Sequence, residues 1–226
     1  MESQRFFLGR IIEPFLDAVF PRYCVSCKAE GALLCPSCFA AFDDRVFKVE
    51  DNHLTMFAYG NPIIRDLIKA YKYEFDHSAF RILQKLAEPK IETVKSFIGE
   101  SILVPVPLAP LRLRERGFNQ AAAVGSWLAT TTGAQMHELL RREETKGHQA
   151  ERTVEERETA MTRSPFRLAS LLLSKEESEE VQVRGSEGGV VLIDDVWTTG
   201  STMKAAERTL KEAGVEHVKF LTLAKG

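Results

Sequence analysis

The chain has 226 residues, enough for one large domain or for a domain with a small module. At 44% hydrophobic and 27% charged it has the composition of an ordinary soluble globular protein, and its formal net charge of -2 argues against attraction of the whole molecule to nucleic acid or an anionic membrane, leaving room for a local basic patch. No apolar run approaches the length needed to span a bilayer. Phe6 to Phe20 is apolar but interrupted by charges, and its apolar residues recur at helical spacing. The segment therefore suits a docking helix better than a signal peptide, and a cytoplasmic location is expected.

The four cysteines come next, as Cys24-x-x-Cys27, seven residues, then Cys35-x-x-Cys38. Two such knuckles offer four thiolates at the geometry of a tetrahedral zinc site, and Gly31 between them lets the chain turn back. Without a secretion signal, disulfides are disfavoured. A redox Cys-x-x-Cys is also disfavoured, because two motifs occur and neither opens an evident thioredoxin-like helix. An iron–sulfur cluster is the main alternative to structural zinc. So short a segment cannot form much of a core, so the metal is expected to supply most of its folding energy.

Leu54 to Tyr59 alternates like a strand. Ile63 to Tyr73, carrying Lys69 and Lys72, and Ala79 to Leu86 have helical spacing. Ser101 to Leu108 begins as a strand and stops at the prolines of Val104-Pro105-Val106-Pro107, which demand a kinked loop. After it come Arg112, Arg114 and Arg116, then Gly117-Phe118-Asn119-Gln120 and an alanine-rich helix through Leu128. Guanidinium groups bind phosphate and pyrophosphate through forked hydrogen bonds and can equally track a nucleic-acid backbone. The interleaved Glu115, Glu143 and Glu144 also fit a plain solvated surface. A polar stretch from Arg141 past Lys146, His148, Gln149 and Arg157 reaches Phe166-Arg167-Leu168, the edge of a further strand. Residues 174–189, with the run Lys175 to Glu180, read as a solvated inserted loop. The five histidines are scattered and read as structural or exposed.

Val190 to Ile193 fits a strand buried on both faces, Met203 to Ala213 has helical composition ahead of Gly214, and Val218 to Leu223 reads as a last strand. Asp194 and Asp195 end the first of these strands, where open α/β sheets bind ligands. Thr198-Thr199-Gly200-Ser201-Thr202 follows, small and hydroxylated, and leads into the helix, whose free N–H groups favour a dianionic phosphate. Paired acids can accept hydrogen bonds from vicinal hydroxyls or from metal-bound waters. Together they suggest a phosphorylated sugar. A Walker B reading lacks its Gly-Lys-Ser/Thr partner loop, a receiver domain would carry its acids on the first strand, and the glycines at 185, 188 and 189 precede a strand instead of following one. The alternation of strands and helices predicts a parallel α/β sheet.

The string Asp194-Asp195-Val196-Trp197-Thr198-Thr199-Gly200-Ser201-Thr202 resembles the phosphoribosyl pyrophosphate (PRPP) signature of type I phosphoribosyltransferases. The resemblance implies that Asp194 and Asp195 hold the ribose hydroxyls and that Thr198, Thr199, Gly200, Ser201 and Thr202 cradle the 5′-phosphate. The cysteine knuckles, a tyrosine–glycine turn into a Lys-Tyr helix, Val104-Pro105-Val106-Pro107, Arg116 to Gln120, then Gln149, Arg157 and the signature, in that order, are similar to the ComF family. That family joins a zinc module to a phosphoribosyltransferase domain and is associated with uptake of single-stranded DNA in natural competence. The resemblance implies an α/β fold, a type I phosphoribosyltransferase-like parallel sheet flanked by helices over residues 49–226, with a helix and four-cysteine zinc module over 1–48. It places the loop after Val104-Pro105-Val106-Pro107 near the pyrophosphate and the segment from Arg141 to Arg157 in a mobile loop over the site. Arg112, Arg116, Gln149 and Arg157 are the candidates for catalysis, Lys72 for a phosphate contact, and Mg²⁺ would accompany PRPP. Where the family usually has Asn three residues after the arginine matching Arg157, this chain has Ala160. Two activities follow as expectations: phosphoribosyl transfer to an acceptor the sequence does not identify, or PRPP-responsive binding that serves DNA uptake through single-stranded DNA and competence proteins such as a DNA-uptake helicase.

Overall fold

A computed structural model describes residues 21–43, 48–73, 76–143, 164–169 and 188–226. The expected docking helix at 6–20, residues Lys146, His148, Gln149, Arg157 and Ala160, and the inserted run at 174–187 lie outside the described residues. The chain packs as two units that interleave along the sequence. One draws on Met1–Arg45 and Asn61–Leu86, the other on Val46–Gly60 and Ala87–Gly226.

The second unit is built on a five-stranded sheet of β1 (Lys48–Glu50), β2 (His53–Ala58), β3 (Ile102–Pro105), β6 (Val190–Trp197) and β7 (Val218–Lys225), in the order β1-β2-β7-β6-β3. Four of these strands run parallel, as the alternation of elements predicts, and β1 adds an antiparallel edge through a short turn. A separate antiparallel ribbon joins β4 (Leu140–Arg142) to β5 (Phe166–Leu168).

β6 explains why the sheet has a layer on each side. Successive strand residues face opposite ways. Val190 and Leu192 enter a core with Val104, Leu140, Phe166, Met203 and Leu210, supplied by the ribbon and by α7 (Ser201–Glu212). Val191 and Ile193 are equally buried on the other face, where α6 (Gln120–Thr132) packs. α6 comes close because Gly125 has no side chain: a Cβ there would lie 2.7 Å from Met136 Sδ and 3.4 Å from Ile193 Cδ1. Burying each of these aliphatic side chains contributes about 1.5–3 kcal/mol. The ribbon is pinned to α7 by Ser164, whose hydroxyl donates to Ala205 O at 3.1 Å and lies 2.8 Å from Thr209 Oγ1.

Two helices of this unit were not foreseen. α4 (Ile91–Ile98), preceded by a 3₁₀ turn at Glu88–Lys90, buries Val94 and Ile98 at helical spacing. α5 (Pro110–Arg116) forms where the prolines and alternating arginines suggested a loop, because Pro110 occupies the first turn, where its fixed φ assists a helix.

In the first unit, an antiparallel bridge between Tyr23 and Glu30 shapes the first cysteine knuckle. Cys35 precedes α1 (Pro36–Ala40), so the second Cys-x-x-Cys does open a helix, one of five residues. α2 (Pro62–Tyr73) buries Ile64, Leu67, Ile68 and Tyr71, and Tyr71 stacks on Phe80 of α3 (His77–Ala87) at 4.8 Å between centroids. Arg22 ties the knuckle segment to the start of α3, donating to Ser78 Oγ at 3.3 Å beside Asp76.

Candidate functional site

At the carboxyl end of β6 the chain leaves the sheet and turns within three residues into α7. Gly200 caps that helix at φ 73°, a left-handed conformation, with no side-chain hydrogen bond. A Cβ there would sit 2.2 Å from Cζ2 of Trp197, so the indole lies directly on the glycine. Trp197 is held in turn by His53, 4.3 Å away between ring centroids, and by Phe220 at 5.4 Å in an edge-on contact. Thr198, Thr199 and Ser201 are at least partly exposed, and Thr199 Oγ1 donates to Ser201 Oγ at 3.0 Å. The turn therefore presents hydroxyls and helix-terminal N–H groups over a rigid aromatic base, a surface that suits an anion.

The two carboxylates do not sit side by side. Asp194 continues the face of Leu192 toward the ribbon, while Asp195, 8% exposed, belongs to the α6 face. Asp194 Oδ1 accepts from the Asp195 N–H at 2.8 Å, which turns its carboxylate back across the strand end. A ligand between the loop and the strand would meet one acid from each side.

The Val-Pro-Val-Pro loop runs beside this end of the strand, with the Val106 N–H donating to Ile193 O at 2.9 Å. Asn119 clips the following segment to it, donating through Nδ2 to Val106 O at 3.1 Å while its Oδ1 accepts from Ala121 N to cap α6. Arg116 Nη1 donates to Gln120 Oε1 at 3.2 Å. Arg112 lies exposed on the same short helix, α5. Arg142, which the family resemblance places at the start of a mobile loop over the site, instead ends the paired strand β4. Its guanidinium packs over the Phe166 ring at 5.3 Å. Burial pushes its pKa down from the ordinary arginine value, Arg112 lowers it further by repulsion, and Asp194 raises it. Arg112, Arg142 and Asp194 thus lie within electrostatic reach of one another. An arginine pair of like charge beside the phosphate-type loop is suited to a polyanion.

The second site belongs to the first unit. The Sγ atoms of Cys24, Cys27, Cys35 and Cys38 all lie within 4.8 Å of one another, with Cys27 and Cys35 at 3.6 Å. Four sulfurs around a tetrahedral zinc would be about 3.8 Å apart. Burial of Cys24 opposes its ionisation, yet backbone N–H groups of Cys35, Cys27 and Ser26 outweigh it and bring the thiol down to about 6. At Cys38 a hydrogen bond from Ser26 favours the thiolate, but the neighbouring sulfurs of Cys35 and Cys27 prevail and push it up to about 11. Four thiolates at this spacing need a cation among them, and the cluster fits a small zinc module.

Among the residues foreseen from sequence, the structure therefore groups Asp194, Asp195 and Thr198 to Thr202 at one strand end, and Arg116 on the segment clipped to it. Lys72 lies in the last turn of α2, in the first unit. Gln149 and Arg157 lie outside the described residues. The signal for Arg142 was the switch from apolar Leu139-Leu140 to Arg141-Arg142, which in a strand directs one arginine inward. Among the described residues no helix is long and apolar enough to cross a membrane.

Comparison with known proteins agrees with this arrangement. Residues 140–226 match the phosphoribosyl transferase domain family. The chain is 25% identical over 174 residues to competence protein ComFC of Streptococcus pneumoniae (strain ATCC BAA-255 / R6), covering 77% of this chain and 68% of that protein. It is 27% identical over 157 residues to competence protein ComFC of Bacillus subtilis (strain 168), covering 68% of this chain and 56% of the relative. It is also 27% identical over 164 residues to competence protein F of Haemophilus influenzae (strain ATCC 51907 / DSM 11121 / KW20 / Rd), covering 70% and 66%. With a match to the phosphoribosyl transferase domain family behind a four-cysteine cluster, and with similarity to competence proteins of this kind along most of its length, the chain resembles the ComF family.

Proposed function

We propose that the chain is a cytoplasmic PRPP-binding protein that serves DNA uptake in natural competence. The observation that carries this is the end of β6, where two carboxylates lead into an anion-receptive turn formed by Gly200, Trp197 and the hydroxyls of Thr198, Thr199 and Ser201. In this reading the 5′-phosphate is held by the turn and by the N-terminus of α7. Asp194 and Asp195 accept from the ribose hydroxyls from either side of the strand, and Arg112, Arg116 and Arg142 offset the charge of the pyrophosphate. Two acids do not make an Mg²⁺ site alone, so the ion would be shared with the ligand's own oxygens. When bound, it would neutralise part of the pyrophosphate charge. The cysteine cluster is proposed to hold one structural Zn²⁺.

If the protein is an enzyme, displacement at ribose C1 expels pyrophosphate, and these arginines stabilise the departing charge electrostatically. The chain's contribution is to position the sugar and exclude water from C1. The acceptor would come from the DNA-uptake setting, with single-stranded DNA and a DNA-uptake helicase as proposed partners. Asp194→Asn with Asp195→Asn is expected to weaken PRPP binding at least about tenfold with zinc content unchanged, as measured by calorimetry and elemental analysis. Unaltered affinity would remove PRPP from the reading. Pyrophosphate release, assayed with and without single-stranded DNA, separates transfer from binding: tight PRPP binding without turnover under either condition favours a PRPP-responsive binding protein.

A further inference from the structure

Gln120 is 1% exposed at the start of α6, and its amide is half used. Oε1 accepts from Arg116 Nη1 at 3.2 Å, while Nε2 is buried with no hydrogen-bond partner among the described residues. The orientation of the amide follows from Arg116, because a guanidinium only donates and so must face the oxygen. A buried amide donor without an acceptor costs about 1–3 kcal/mol. An apolar side chain of similar shape would avoid that cost, so packing does not explain a glutamine here. Its used half explains it better. The backbone beneath is fixed: Asn119 anchors to Val106 O, and the Val106 N–H bonds to Ile193 O, the residue before Asp194. Gln120 therefore stands at a set distance from the carboxyl end of β6 and hands that precision to the guanidinium four residues earlier.

We propose that Gln120 is a positioning residue that holds Arg116 for an anionic ligand at the end of β6. The inference rests on the PRPP reading of that site and adds a residue the ligand does not touch. A glutamine suits this role because its side-chain oxygen accepts from the guanidinium one helical turn earlier, which a side chain without an acceptor could not do.

The test uses the full zinc-loaded chain with PRPP and, separately, inorganic pyrophosphate as probes, in wild type, Gln120→Met, Gln120→Glu, Arg116→Ala and Arg116→Ala with Gln120→Met. Gln120→Met is expected to leave the unfolding midpoint unchanged or raised while weakening both probes about tenfold. Gln120→Glu keeps the acceptor and loses the donor, and should recover most of the affinity for PRPP. In the Arg116→Ala background, Gln120→Met should cost nothing further. Equal losses in Gln120→Met and Gln120→Glu, or a full additional loss in the Arg116→Ala background, would overturn the positioning role. If Arg116→Ala leaves PRPP affinity unchanged while the Asp194 and Asp195 substitutions abolish it, the role of Gln120 fails and PRPP binding stands. If none of these substitutions matters, the PRPP reading itself fails.

Discussion

The cysteine cluster and the end of β6 are both made by short runs of sequence, yet they are held in opposite ways. At the cysteines, the liganding atoms crowd to within 4.8 Å with thiol pKa values driven apart, so the geometry is satisfied by a cation. At β6, the supports among the described residues are internal: strand pairing on both sides, an indole against a glycine, and a histidine behind the indole. One site is completed by what it binds. The other is built before anything binds.

The largest test of that contrast is metal removal. Cys24→Ala with Cys35→Ala should abolish zinc binding, a loss on the order of 10 kcal/mol of local folding free energy. PRPP affinity at the other unit should change little. Elemental analysis, calorimetry and circular dichroism on the same preparation check both parts, and a collapse of PRPP binding would break the contrast.

A smaller effect is expected from pH. Burial foremost, with the charge of Lys225 and against that of Glu50, brings the pKa of His53 from the ordinary 6.5 down to about 4. As pH falls, the unfolded chain takes up the proton first, so stability is complete above the unfolded value and drains away between about pH 6.5 and 4. The loss should reach up to about 3 kcal/mol. Denaturation midpoints between about pH 7 and 4.5 should fall in wild type and stay flatter in His53→Gln, and parallel slopes would exclude this histidine as the cause. Trp197 rests on the ring that titrates, so its fluorescence should move over the same interval.

Gly200→Ala should cost about 2 kcal/mol, since the new Cβ meets both a left-handed φ and the indole. Urea midpoints measure that cost, and PRPP affinity should drop with it. A neutral result would show that Trp197 can swing aside. The smallest effect is predicted for Arg142→Met: stability within about 1 kcal/mol of wild type, because the contact is only part-buried and methionine keeps favourable packing on the Phe166 ring. PRPP affinity should be several-fold weaker and less dependent on salt, as titrations at two ionic strengths would show.

The sequence was most legible where local chemistry decides. Asp194 to Thr202, the cysteine knuckles and the buried run Val190 to Ile193 carry their signals within a few residues, and the alternation of elements is enough to predict a parallel sheet. It was less legible where distant residues decide. α5 was hidden because Arg112, Arg114 and Arg116 alternate as a loop or strand would. The opposite facing of Asp194 and Asp195 follows from β6 continuing to Trp197, which no residue before the turn announces. Arg142, expected in a mobile loop, is fixed on β4 because Phe166, distant in sequence, lies beneath its guanidinium. The grouping of residues 61–86 with the cysteine segment skips the intervening residues 46–60 and had no local marker.

The strand order also sets a timetable for synthesis. β2 lies between the short β1 and β7, and His53 pairs with Phe220. At about 5–20 residues per second, a ribosome needs roughly 10–30 s to deliver that partner after β2 emerges. Through that interval Leu54, Met56 and Phe57, each fully buried in the finished fold, lack the strand that shields them. Until β7 arrives, that side of β2 is an unpaired edge open to pairing with other chains. Changes that leave the folded protein untouched could still lower its yield by lengthening the wait.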